Sequence, residues 1–402
     1  MSNHAQPQRI QSLDVVRGVA VMGILGMNIL AFALPYPATI NPAAYGGDSG
    51  ADLIAWFATF VLVEGKMRAL FSILFGASTL LVIDRAEASG RNPVAVHFAR
   101  MAVLLLFGLA HFYLVWFGDI LTLYALSGMI IVWARHWSPL ALAVAGVASL
   151  TVYTLMLGGL ALAAMSGDAT MLSWIQNDAG ANSPRIAAEL VSYARPWTDI
   201  TNTRLTDDAT YPIDSFLTSG WEAVGLMLIG MALFKSGMFT GGWPRARLLR
   251  WAIACLAIAI PPLLWLAWSQ VASGFDTLTV FGAAIPWSQP FDIVLAIGFA
   301  ALLVLWSGSR SLPALKARVA AAGRMAFTNY LATSLVMTTI FYGYGLGLFG
   351  QVGRANLWWF VAAMCLAMLA WSKPWLDQFH YGPLEWLWRS MSRGALQPLR
   401  RG

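Results

Sequence analysis

Charge is scarce in this chain. Asp, Glu, Lys and Arg make up 11% of its 402 residues against 58% hydrophobic residues, so a water-soluble domain of this size has too little polar surface to cover itself. Cysteine is scarcer still: Cys255 and Cys365 both fall in apolar stretches and lack metal-ligand spacing, which argues against a disulfide framework or a thiolate metal site. Short repeats, low-complexity tracts, a Walker loop, a dinucleotide fingerprint, a zinc-ligand cluster and a nucleophile elbow are also missing. Redox, ATP-driven and metal-hydrolase chemistry therefore have no support.

What is there is a succession of long apolar runs. A hydrocarbon core about 30 Å thick needs roughly 20 helical residues. On that ruler spans are expected near 15–34, 51–83, 101–117, 120–134, 138–165, 219–235, 251–270, 291–307, 325–345 and 356–372. The expected fold is all-α, a single polytopic membrane domain over 1–402 forming a bundle of about ten spans. Glu64-Gly-Lys-Met-Arg68 interrupts the second and longest run, predicting a broken or re-entrant element there. Residues 166–218, with Pro184, Pro196 and Pro212, read as an extramembrane insertion that packs on the helices and has a short helix near 184–195. Residues 373–402 read as a tail whose stretch from Glu385 to Arg389 forms an amphipathic helix along the inner leaflet.

Basic residues give an orientation. Of 25 Lys and Arg, only Arg185, Arg195, Arg204 and Arg354 fall in segments expected outside, which predicts cytoplasmic termini and a periplasmic insertion in a bacterial inner membrane. The net charge of +6 is then topology and no sign of nucleic-acid binding. The first 13 residues are polar and the following run is long enough to span, so the first helix is expected to be an uncleaved signal anchor.

Polar residues at membrane depth are costly and mark candidate sites. Asp14 sits in the first turn of the first span with Arg17 at i+3, either an ion-paired helix end or part of a site. Asn28 lies about three turns beyond Arg17 on the same face. Glu64, Lys66 and Arg68 are either an internally neutralised network or an anion site with Glu64 as a base. His111 is the one histidine deep inside an apolar run, and Asp119 follows eight residues later. A helical hairpin would bring Asp119 back to orient the ring; alternatively Asp119 caps the helix starting at Ile120. Arg324, Thr328, Asn329 and Tyr330 open the ninth span, with Arg324 at the interface.

The opening Leu13-Asp-Val-Val-Arg-Gly18, Phe71-Ser-Ile-Leu-Phe-Gly-Ala77, His111 with Trp116-Phe-Gly-Asp-Ile-Leu121, Gly323-Arg-Met-Ala-Phe-Thr-Asn-Tyr-Leu331 and Gly382-Pro-Leu-Glu-Trp-Leu-Trp-Arg389 together resemble the YeiB family of bacterial membrane proteins, defined by a domain of unknown function. The resemblance runs from about residue 9 to 392. More distantly, the first motif with Asn28 is similar to the first helix of heparan-alpha-glucosaminide N-acetyltransferases, which move an acyl group from a coenzyme A donor to an acceptor hydroxyl or amine. That likeness implies an acyl-CoA or acetyl-CoA donor, no metal, and a small-molecule, lipid or glycan acceptor. The histidine that those enzymes carry after the first helix has no counterpart in Pro37-Ala-Thr-Ile-Asn-Pro-Ala. His111, oriented by Asp119, is the expected replacement, with Asn28 near the transfer point and Glu64 the alternative base. Arg17, Lys66, Arg68 and Arg324 are expected to hold the donor, and Asp14, Asn329 and Tyr330 the acceptor. A transporter or permease for a small anionic or amphipathic solute is the alternative, and association of the chain with itself stays open.

Overall fold

The computed structural model describes residues 10–401. Helix is the only local structure that satisfies every backbone N–H and C=O of an apolar run from within. In chain order the helices are α1 (Gln11–Ala33), α2 (Tyr36–Ile40), α3 (Gly50–Leu62), α4 (Lys66–Ala88), α5 (Pro93–Leu114), α6 (Leu121–Ile131), α7 (Pro139–Met165), α8 (Ala169–Ala179), α9 (Pro184–Tyr193), α10 (Trp197–Thr206), α11 (Tyr211–Lys235), α12 (Arg245–Ala272), α13 (Thr277–Gly282), α14 (Gln289–Ser307), α15 (Pro313–Arg324), α16 (Ala326–Phe341), α17 (Arg354–Gln378) and α18 (Pro383–Arg393). The described residues contain no strand, only an isolated bridge between Phe379 and Arg400. The protein is an all-α polytopic membrane bundle.

Starts and breaks follow local chemistry. Asn92 accepts from the N–H groups of Val94 (3.0 Å) and Ala95 (3.1 Å) to open α5, and Ser138 and Asp168 cap α7 and α8 in the same manner. Eight helical segments are long and apolar enough to cross a membrane, among them Gly50–Ala88, which comprises α3 and α4. The other two expected spans, 120–134 and 325–345, are the shorter helices α6 and α16. The break expected in the second run is present at residues 63–65. Gly65 has φ 72°, and a Cβ there would lie 2.3 Å from the Asp292 carboxylate, so both backbone conformation and space require glycine.

Helix α1 is the axis of the bundle, packed against α4, α14, α15, α16 and α17, while α7 leans on α11 and α12 on α14. At the crossing of α1 and α15 the backbones touch: a Cβ on Gly18 would meet the Val319 carbonyl oxygen at 2.1 Å. That approach sets Arg17 and Arg324 beside one another's helices. Large apolar residues such as Ile54, Leu140, Leu155, Trp265, Trp268 and Trp359 point outward, as a lipid-facing surface requires.

The insertion closes one end of the bundle. Tyr36 donates its backbone N–H to Glu189 (2.7 Å), the Trp197 indole donates to the Leu114 carbonyl (2.7 Å), and Gly343 donates to the Tyr193 carbonyl (2.8 Å). At the opposite end α18 docks by a buried carboxylate rather than lying only along a leaflet, as the tail was expected to do. Glu385 accepts the N–H groups of Phe327 (2.8 Å) and Thr328 (3.0 Å) and the Thr328 hydroxyl (2.5 Å).

Candidate functional site

Helix α5 runs unbroken to Leu114 and the chain then turns through 115–120 into α6. That turn folds Asp119 back onto His111, with Nδ1 2.8 Å from Oδ1 and both side chains buried. Both sequence readings of Asp119 hold at once, because its oxygens also accept the N–H groups of Leu121 (3.1 Å) and Thr122 (2.8 Å) at the start of α6. A carboxylate on Nδ1 places the ring proton there, leaving Nε2 as a lone-pair acceptor. Nε2 has no hydrogen-bond partner among the described residues. A held Nδ1–H and a bare Nε2 form the arrangement of a general base.

A cavity of about 690 Å³ opens at the end of the bundle away from the insertion. Its wall carries Arg17, Arg85, Arg100, Arg324, Arg389 and Arg401 against two carboxylates, Asp14 and Glu385. Arg17 reaches Asp14 at 3.3 Å and donates to the Ser78 hydroxyl at 2.6 Å. The Arg100 guanidinium lies 4.3 Å over the Trp388 ring, and that of Arg389 4.7 Å over Tyr381, contacts that hold planar cations with their edges available. Since Glu385 is committed to the first turn of α16, the cavity keeps a strong excess of positive charge.

The two features meet at Tyr330. Its side chain lines the cavity, its ring lies 5.3 Å from the His111 ring, and its hydroxyl donates to the Gly118 carbonyl at 3.3 Å. Ile120 and Leu121, the two residues that follow Asp119, line the same cavity. Asn28 shares a face of α1 with Phe32, whose ring stacks on Trp116 at 3.9 Å, and Trp116 lies 6.2 Å from the His111 ring. Asn28 is half-buried.

Other expected site residues lie elsewhere. Arg17, Arg324, Asp14 and Tyr330 line the cavity, but Lys66 and Arg68 do not. Arg68 is ten residues from Ser78 on α4, about 15 Å of helix, so Lys66 and Arg68, expected to hold the donor together with Arg17 and Arg324, stand apart from those two. Nor does the Glu64 carboxylate touch either cation: Lys66 pairs with Asp292 at 2.6 Å and Arg68 with Glu222 at 3.1 Å. Asn329 is fully buried and ties α16 to its neighbours, donating to the Ala322 carbonyl (3.1 Å) and Ser372 (3.2 Å) and accepting from Trp371 (3.0 Å). It does not line the cavity.

The sequence reading missed Arg85, Arg100, Arg389 and Arg401 as site residues, because basic residues near span ends read as topology. Glu222 and Asp292 did carry a signal, since each is a carboxylate inside an otherwise apolar run. Among the described residues no group of three or more His, Cys, Asp or Glu is placed to hold a metal ion.

Residues 233–395 match a family described as a protein of unknown function (DUF418). The uncharacterized protein YeiB of Escherichia coli (strain K12) is 32% identical over 400 residues, covering 97% of this chain and 98% of that one. The uncharacterized protein YxaH of Bacillus subtilis (strain 168) is 30% identical over 415 residues, covering 98% of this chain and 96% of that one. No solved structure matches the chain. With identity at that level over nearly the whole length of both proteins, this chain belongs to the YeiB family, the membrane proteins grouped by DUF418.

Proposed function

We propose that the protein is a membrane-bound acyltransferase that takes an acyl group from acyl-coenzyme A on the basic side of the bundle and passes it to a hydroxyl or amine acceptor. The observation that carries this reading is the adjacency of the basic cavity to a held histidine through the Tyr330 ring. Six arginines line the cavity, and one ring beyond Tyr330 stands a histidine held by Asp119 with Nε2 bare. Guanidinium groups suit the donor's phosphates, and Phe71, Leu74, Phe75 and Leu104 offer an apolar wall to its extended arm.

In this reading the acceptor O–H or N–H donates to His111 Nε2 while its lone pair attacks the thioester carbonyl. The proton passes to the ring, the tetrahedral intermediate collapses with cleavage of the C–S bond, and the imidazolium returns the proton to the departing thiolate. Asp119 keeps the ring in the productive tautomer and stabilises the imidazolium. The excess of Lys and Arg at this end supports a cytoplasmic placement for it, in a bacterial inner membrane with both termini inside.

The test uses protein in nanodiscs. Coenzyme A is expected to raise the melting temperature, Arg85→Ala and Arg389→Ala to weaken its binding, and acyl-CoA to be consumed with release of free thiol. Vesicle uptake of a solute by protein that neither binds coenzyme A nor releases thiol would establish the permease instead.

A further inference from the structure

A second polar site continues the face of α4 beyond the cavity. Arg68, Phe71, Phe75, Ser78, Val82 and Arg85 recur every three or four residues and therefore share one face. Phe71 through Arg85 line the basic cavity, and Arg68 lies one turn further toward the break at 63–65. Tyr124 marks the neck between the two: it lines the cavity and its hydroxyl is 2.5 Å from that of Ser72, one turn from Arg68.

Around Lys66 and Arg68 stand polar groups from three other helices, of which Glu222 reaches Arg68 and Asp292 reaches Lys66. Glu222 comes from α11, Asp292 from α14 with Gln289 one turn before it, and Thr154 from α7, hydrogen-bonded to Gln289. The Arg68 side chain is 39% exposed while its partner Glu222 is buried, so open space adjoins the guanidinium. Both cations are already paired, Lys66 with Asp292 and Arg68 with Glu222. What remains is hydrogen-bonding capacity of both kinds: Arg68 Nε and Gln289 Nε2 are buried donors and Asp292 Oδ1 a buried acceptor without a hydrogen-bond partner, and Gln289 itself is 4% exposed.

That balance selects the ligand's chemistry. An anion would have to displace Glu222 or Asp292, and a cation would have to displace Arg68 or Lys66, each leaving a buried charge unpaired at several kcal/mol. A hydroxyl both donates and accepts, so it satisfies the orphaned donors and bonds a carboxylate oxygen without disturbing either ion pair. We propose that this second site is the acceptor subsite and that it takes an uncharged, polyhydroxylated molecule. The assignment rests on the acyltransferase reading. One acceptor hydroxyl forms the new O–C bond to the acyl carbon as the thioester C–S bond breaks, its proton leaving through His111 to the coenzyme A sulfur.

The experiment measures direct binding in nanodiscs free of sugar-headed detergent, with methyl glucoside as the neutral probe, glucuronate as the anion and glucosamine as the cation. Methyl glucoside is expected to bind most tightly. Arg68→Lys, which keeps a cation for Glu222, and Gln289→Ala are each expected to weaken it about tenfold, the effect of one lost buried hydrogen bond, with coenzyme A affinity unchanged. Tighter binding of glucuronate or glucosamine, or unchanged methyl glucoside affinity in both variants, overturns the proposal. Methyl glucoside binding that depends on Arg68 and Gln289 in a protein that does not bind coenzyme A keeps the polyol site and overturns its acceptor role, separating the two failures.

Discussion

His111 and Asp119 show how one carboxylate serves two masters, because it holds an imidazole nitrogen and the first N–H groups of α6 together. The two roles separate by substitution. His111→Ala removes the base and is expected to slow acyl transfer by about a hundredfold to ten-thousandfold, with coenzyme A binding intact by calorimetry. Asp119→Asn preserves the cap, since Asn caps helices as well as Asp, but weakens the hold on the tautomer. Its melting temperature should stay near wild type while turnover falls. Asp119→Ala loses both functions, adding about 1 kcal/mol of lost cap. This pair was legible in the sequence because one short turn joins its members. Lys66 and Arg68 were equally visible, but their partners Asp292 and Glu222 are more than 150 residues away, and only tertiary packing decides which carboxylate reaches which cation.

At the scale of elements, α16 depends on α18. The backbone N–H groups at the start of a helix have no intrahelical acceptor, and Glu385 supplies one from 57 and 58 residues away. Glu385→Ala leaves those buried donors unsatisfied and is expected to cost about 1–3 kcal/mol, read as a lower melting temperature, whereas Glu385→Gln keeps an acceptor oxygen and costs less. Burial pushes the Glu385 carboxyl up, against the pull of its hydrogen bonds from Thr328 and Phe327. With the folded value above the unfolded one, the associated stability is complete below the unfolded pKa and is lost as pH rises through the folded value. The melting-temperature difference between wild type and Glu385→Gln should change between the unfolded and folded values and level off on either side. The amphipathic pattern of α18 was legible, but its inward carboxylate was not, because no local pattern marks a cap supplied from a distant helix. For the same reason α6 and α16 came out shorter than their apolar runs: runs record hydrophobicity, whereas helix ends are set by turns such as 115–120 and by partners such as Glu385.

Across the whole molecule, the distribution of basic residues predicts that Asp178 and Gly402 report from opposite compartments. Reporter fusions check this, and identical signals would overturn the topology on which the cytoplasmic placement of the basic cavity rests. The bundle's layout has a further consequence for biosynthesis. The cavity is walled by α1, α4 and α5 from early in the chain and by α16, α18 and Arg401 from its far end. At ordinary elongation rates the two groups emerge on the order of tens of seconds apart, so during insertion Arg17 must reside near lipid before most of its final surroundings exist. Asp14, three residues away and 3.3 Å from it, is the one carboxylate that accompanies Arg17 from the moment α1 enters the bilayer. It acts as a travelling counter-ion. Asp14→Ala should therefore lower the amount of protein recovered in the membrane fraction, while the molecules that do insert bind coenzyme A at least as tightly as wild type.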